Sequence, residues 1–193
     1  MPSDGADRSP SSHRGLLVVA IVVGVVVLDQ CTKVWAVERL ADGPIAVIGD
    51  DIGFRLSRNS GGAFSIFQGF TPVLALLAIA LTVILVRAVS RTDDRLMLVA
   101  LALVLGGALG NLVDRLTRSP GFLRGEVVDF VGVRSFPTFN LADSAITIGA
   151  VLLLVAVVRA PDEVEASEGA DPAAQAVENL PCSEPDPGRG RGA

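Results

Sequence analysis

Asn140 and Asp143 stand at the head of the run FNLADSAITIGAVLLLVAVV, which from Ser144 onward is apolar enough for lipid. Asp129 precedes them in GEVVDFVGV. Two carboxylates brought close together cannot both ionise, so they share a proton and titrate apart. The ionised acid can then take a proton from water while the protonated one polarises a peptide carbonyl. This chemistry needs no metal and no cofactor. The only histidine, His13, lies in the N-terminal stretch, which removes Ser–His and Cys–His catalysis and a His-based metal site from the candidates. Cys31 and Cys182 supply no disulfide framework, and Cys31 reads as an inert packing residue.

Other polar residues accompany these acids. Asn140 precedes Asp143 on one helix face, where its amide could hold a carboxylate or a substrate carbonyl. Asn111, Asp114 and Arg115 share a face by the same spacing, and Asp29 and Lys33 stand one turn apart. The elements that must position them are apolar blocks. The chain has 193 residues, of which 50% are hydrophobic, and these come in runs rather than in a soluble helix or strand period. About 20 apolar residues cross a bilayer. Membrane spans are therefore expected over about residues 16–37, 71–89, 96–113 and 141–158. A secretory signal is rejected for the first, because Asp29 and Gln30 precede Cys31 where cleavage wants small residues.

Four spans alternate in direction. The ends of spans one and three and the start of span four then share one membrane face, with loops 38–70 and 114–138. Asp29, Gln30, Lys33, Asn111, Asp114, Arg115, Asn140 and Asp143 all fall there. Ionisable groups at membrane depth are costly and usually functional, so their convergence points to a site. Within the loops, IAVIGDDIGFRLSRN reads as a β-hairpin turning at residues 49–51, and GEVVDFVGV as a strand carrying Asp129. A small sheet on the membrane face is expected. RNSGGAFSIF follows the hairpin, its Gly61 and Gly62 allowing a tight backbone before an apolar patch at Phe64, Ile66 and Phe67. Gly106 and Gly110 have the spacing for close helix packing.

The tails differ from the core. Residues 161–193 hold eight acids and two arginines, so they carry −6 of a net charge of −5. Rich in Ala, Pro, Gly and Glu and free of aromatics, this tail is expected to be disordered, as are residues 1–14. Arginines stand in similar numbers on both sides of the spans, so charge does not orient the chain.

Each residue also has a structural reading. Asp143 suits the dipole of a helix start. Asp129 can belong to a strand alone, Asp114–Arg115 to an interfacial ion pair, and Asp29–Lys33 to a buried salt bridge. Trp35 reads as an interfacial anchor. Two other function classes are open on these residues. One is a proton-coupled transporter, against which the clustering at one face argues. The other is a membrane scaffold, which needs no such cluster.

The motifs LDQCTK, RNSGGAFSIF, GGALGNLVDRL, EVVDFV and FPTFNLADS occur in order among the four spans. With them the chain resembles the bacterial lipoprotein signal peptidases, aspartyl endopeptidases also called signal peptidase II. The resemblance covers roughly residues 15–160. It implies a mainly α polytopic membrane protein with four transmembrane helices and a small extracytoplasmic sheet. It also implies removal of the signal peptide from prolipoproteins just before a diacylglyceryl-modified cysteine. By the same resemblance Asp129 and Asp143 are the catalytic pair. Asp29, Lys33, Asn59, Asn111, Arg115 and Asn140 support the site or contact substrate. Asp114 is structural and the main rival to Asp129. The resemblance further implies the bacterial cytoplasmic membrane, both termini cytoplasmic and the site on the outer face. Its partners are prolipoproteins and membrane lipids, with no nucleic acid, and a monomer is expected. The connection LTRSPGFLRGE is longer than is usual in the family, and the acidic tail is not required by it.

Overall fold

The computed structural model describes residues 10–49, 51–60 and 71–159. They form α1 (Pro10–Arg39), β1 (Ile45–Ile48), β2 (Ile52–Asn59), α2 (Thr71–Val89), α3 (Arg95–Thr117), β3 (Val127–Val133), β4 (Phe136–Phe139) and α4 (Leu141–Arg159). All four helices are long and apolar enough to cross a membrane. The expected patch at Phe64, Ile66 and Phe67, and the stretch 161–193, lie outside the described residues.

Two helices run further than their apolar blocks. α1 starts at Pro10, so residues 10–14 extend a helix where a tail was expected. Proline suits a first helical turn, where its missing N–H has no partner to lose. α3 continues past Val113 to Thr117 and so encloses Asp114 and Arg115. A helix need not stop where charges begin if those charges find partners inside the protein, as they do here. Asp94 caps its start, accepting the Met97 N–H at 2.7 Å.

α3 is the central helix. In its most apolar stretch 61% of the residues are buried, against 11% in α1 and α2 and 22% in α4. Leu85 of α2 packs on Leu101, Val104 and Leu105 of α3, with Leu153 of α4 beside them. Val18 of α1 joins Leu98 and Ala102. The outward faces carry exposed Val23, Leu76, Ile84, Val151 and Leu154, a surface made for lipid. Cys31 is exposed on α1, which corrects its reading as a packed thiol: among the described residues nothing covers its side chain.

Helices come close together at glycine. A Cβ on Gly106 would stand 2.8 Å from the Val25 side chain, and one on Gly110 would stand 2.7 Å from Asp29 Oδ2. The spacing read from sequence thus serves α1 against α3.

The strands form one antiparallel sheet in the order β1-β2-β3-β4. The expected hairpin is β1–β2, and the expected Asp129 strand is β3, with Asp129 opposite Ser57. β4 was not foreseen. Trp35 is more than an interfacial anchor: its ring meets Phe54 and Phe130 edge-on at 5.5 and 6.3 Å. These contacts, with buried Ala36 and Leu40, seat the sheet on the end of α1.

Candidate active site

The site has a charged foundation. Lys33 Nζ lies 2.8 Å from both Asp29 Oδ2 and Asp114 Oδ2, and the three side chains are fully buried. Asp114 also takes Arg118 Nε at 2.6 Å, so the carboxylates and cations balance. Buried charges persist only when paired and hydrogen-bonded. Here the remaining lone pairs accept backbone amides. Asp29 Oδ1 receives the Ala142 N–H at 3.0 Å, and Asp114 Oδ2 the Val128 N–H at 3.2 Å. One pair of acids therefore fixes the start of α4 and the strand position just before Asp129. Gln30, for which the sequence suggested no task, bridges the helices by donating to Asp29, Asp114 and the Gly110 carbonyl.

Above this foundation stands an asparagine layer. Lys33 donates to Asn111 Oδ1 at 3.0 Å, which turns the Asn111 amide nitrogen toward Asp143 Oδ1 at 2.8 Å. Asn140 Nδ2 donates to Asp129 Oδ1 at 2.6 Å and to Asn111 Oδ1 at 3.2 Å. Asn140 and Asp143 also form a reciprocal helix cap. The Asp143 N–H donates to Asn140 Oδ1 at 3.0 Å, and the Asn140 N–H donates to Asp143 Oδ2 at 3.2 Å. Asp143 thus does serve the start of α4, as the structural reading held. Its second oxygen is engaged by Asn111. Asn59, at the end of β2, donates to Asp129 Oδ2 at 3.1 Å.

Asp129 is almost fully buried. Burial first, and then the charge of Asp143, push its carboxyl up to about 6, against the hydrogen bonds from Asn59 and Asn140. Both carboxylates line one cavity of about 650 Å3, with Asn59, Asn111 and Arg115. Its remaining walls are largely apolar and come from β4 and α4, including Phe136, Phe139 and Ile146. Ile148, 56% exposed on the outer side of α4, is part of the wall, so the cavity reaches the lipid-facing surface. Arg115 is buried, donates to the Asn111 carbonyl at 3.2 Å, and has a buried Nε with no acceptor among the described residues.

Asp129, Asp143, Asn59, Asn111, Arg115 and Asn140 thus converge. Asp29, Lys33 and Asp114 lie behind them. Asp114 does not line the cavity, so the shared helix face of Asn111, Asp114 and Arg115 is split between two tasks. The long connection between α3 and β3 contributes no residue to the cavity wall. The β4 wall and Ser144 and Thr147 of α4 were not foreseen. FPTF is too short for a strand period, whereas Ser144 and Thr147 continue the polar face that Asp143 opens, a one-turn spacing that the apolar reading of the span passed over.

A family model described as Signal peptidase (SPase) II matches residues 21–159. The chain belongs to the signal peptidase II family. Members are aspartic peptidases, and with its four spans this member is a multi-pass membrane enzyme. It is 45% identical over 156 residues to the lipoprotein signal peptidase of Rhodococcus jostii, covering 80% of this chain and 79% of that one. The lipoprotein signal peptidase of Mycobacterium avium is 47% identical over 150 residues, covering 77% of this chain and 81% of its own. A solved structure described as a bacterial membrane enzyme determined by the in meso method aligns with a TM-score of 0.64 at 32% identity, over 74% of this chain and 88% of that one. A second such structure aligns with a TM-score of 0.62 over 75% and 94%.

Proposed function

We propose that this signal peptidase II removes signal peptides from diacylglyceryl-modified prolipoproteins, cutting just before the lipidated cysteine with Asp129 and Asp143 as its catalytic pair. The observation that carries the reading is the position of Asn140, which hydrogen-bonds both carboxylates at the edge of a cavity open to lipid.

Asp129, whose carboxyl is pushed up, carries the shared proton. Asp143, held by Asn111 and its cap, is the ionised base. Asp143 takes a proton from water as the water oxygen attacks the carbonyl carbon, and Asp129 gives its proton to the carbonyl oxygen. The proton on Asp143 then passes to the leaving amide nitrogen. The C–N bond breaks, and Asp129 regains a proton from the collapsing diol. Arg115 offers its Nε–H, which has no acceptor among the described residues, to the substrate backbone. Asn59, Asn111 and Asn140 orient the acids, and Asp29, Lys33 and Asp114 hold the elements that bear them. An acylated cysteine keeps its lipid in the bilayer, so the bond before it lies near headgroup level, where span parity puts the pair. The enzyme works as a monomer in the bacterial cytoplasmic membrane, with both termini inside and the site outside. It needs no cofactor or nucleic acid.

The test is cleavage of a diacylglyceryl-modified prolipoprotein by purified enzyme, with the new N-terminus read by mass spectrometry. Asp129→Asn and Asp143→Asn should each lower turnover by at least about 10²–10⁴-fold, while Asp114→Asn keeps partial activity. An active Asp129→Asn enzyme beside a dead, folded Asp114→Asn enzyme would reassign the second carboxylate.

A further inference from the structure

Asp129 stands between two unlike spaces. On one side is the apolar cavity that reaches the lipid face. On the other is a groove of about 590 Å3 over the sheet, lined by Arg55, Ser57, Arg134 and Ser135 and sharing Asn59, Asp129 and Phe136 with the first. A prolipoprotein has three parts near the scissile bond. The signal helix and the acyl chains are apolar and belong with lipid. The segment after the cysteine is the one part that must leave toward water. If the first two occupy the apolar side, the third has to pass along the polar groove.

The two arginines differ. Arg134 is held by Asp51 at 3.0 Å. Arg55 lies across Gly132, where a Cβ would stand 3.0 Å from its Nε, and it reaches only the Phe136 carbonyl, at 3.4 Å. Among the described residues no carboxylate pairs with it. A glycine under an arginine, in a groove that ends at the reacting acid, presents a guanidinium along the path of the peptide. We propose that the groove binds the mature segment following the cysteine, and that Arg55 selects for an acidic residue there. The inference rests on the proposed cleavage before a lipidated cysteine.

The test uses synthetic diacylglyceryl lipopeptides that differ only in the residues just after the cysteine, with Asp, Asn or Lys in those places. In vesicles at low salt, kcat/KM should fall from Asp to Asn to Lys by about threefold per step, the size of one exposed ion pair. Added salt should shrink the ratio. Arg55→Gln should bring the Asp-to-Asn ratio to about one, and Arg55→Glu should reverse the order. Equal turnover of the three peptides by the wild type overturns the proposal. So does a preference that both variants leave intact. If the variants do not fold, a wild-type ratio that salt fails to reduce overturns it. Rates that follow the anionic lipid content of the vesicles, and not peptide charge, would assign Arg55 to headgroups instead. Failure of the wild type to cleave any of the three would sink the proposed cleavage itself, a result distinct from any change in charge order.

Discussion

The proton on Asp129 links the site to stability. Its carboxyl is pushed up to about 6 in the fold, from the 3.8 of an ordinary exposed aspartate. Between these values the native state binds the extra proton, so stability falls as pH rises through the window and stays reduced above it. Two such units are worth about 3 kcal/mol. Asp129→Asn removes this titration. Thermal unfolding in detergent should show the variant gaining on the wild type by up to about 3 kcal/mol between pH 4 and pH 8. A constant difference would mean that Asp129 does not hold its proton. Asn111 and Lys33 should separate function from folding. Asn111→Ala loses a hydrogen bond to a charged group, worth about 1.5–3 kcal/mol, so kcat should drop about ten- to hundredfold in an enzyme that still folds. Lys33→Met leaves two buried carboxylates without their common cation and should cost about 3–5 kcal/mol of stability, read by the same unfolding assay.

At the scale of elements, helix contacts are set by side chains that are absent. Gly110→Ala drives a Cβ against Asp29 and Ala142, and should destabilise by about 1–3 kcal/mol. Gly24→Ala, on α1, meets nothing within 4 Å among the described residues, and should be neutral or gain about 0.5–1 kcal/mol. A comparison of the two thermal midpoints checks both. These contacts also explain what could be read from sequence. Spacing along one helix is visible, so the Asp29–Lys33 pair and the Gly106–Gly110 stripe were legible. Alternation around a turn marked the β1–β2 hairpin, and β-branched content marked β3. What joins different elements leaves no such trace. Nothing in the spacing tells that Asp114 takes the Val128 amide, that Gln30 ties α1 to α3, or that Asn111 faces Asp143. β4 pairs by two registered residues and has no period of its own. Helix ends were placed too early because the apolar blocks stop before the charges that the protein neutralises internally.

At the scale of the whole molecule, span parity puts the polar end of the bundle on one membrane face, and the proposed topology makes that face the outer one. A reporter enzyme fused after Gly69 should be active only outside the cell, and one fused after Arg91 only inside. The opposite pattern would reverse the proposed topology. The site itself draws on nearly the full length of the fold: Asp29 from α1, Asn59 from β2, Asn111 from α3, Asp129 from β3 and Asp143 from α4. Asn140 and Asp143, the proposed bridging asparagine and base, come at the head of α4, the last of the described helices in the chain. A nascent chain that has not yet reached α4 therefore lacks one member of the proposed dyad, and α4 must be in place before Asp29 gains its backbone partner at Ala142. On the proposed reading, the order of translation leaves the acid pair incomplete until α4 has entered the bilayer.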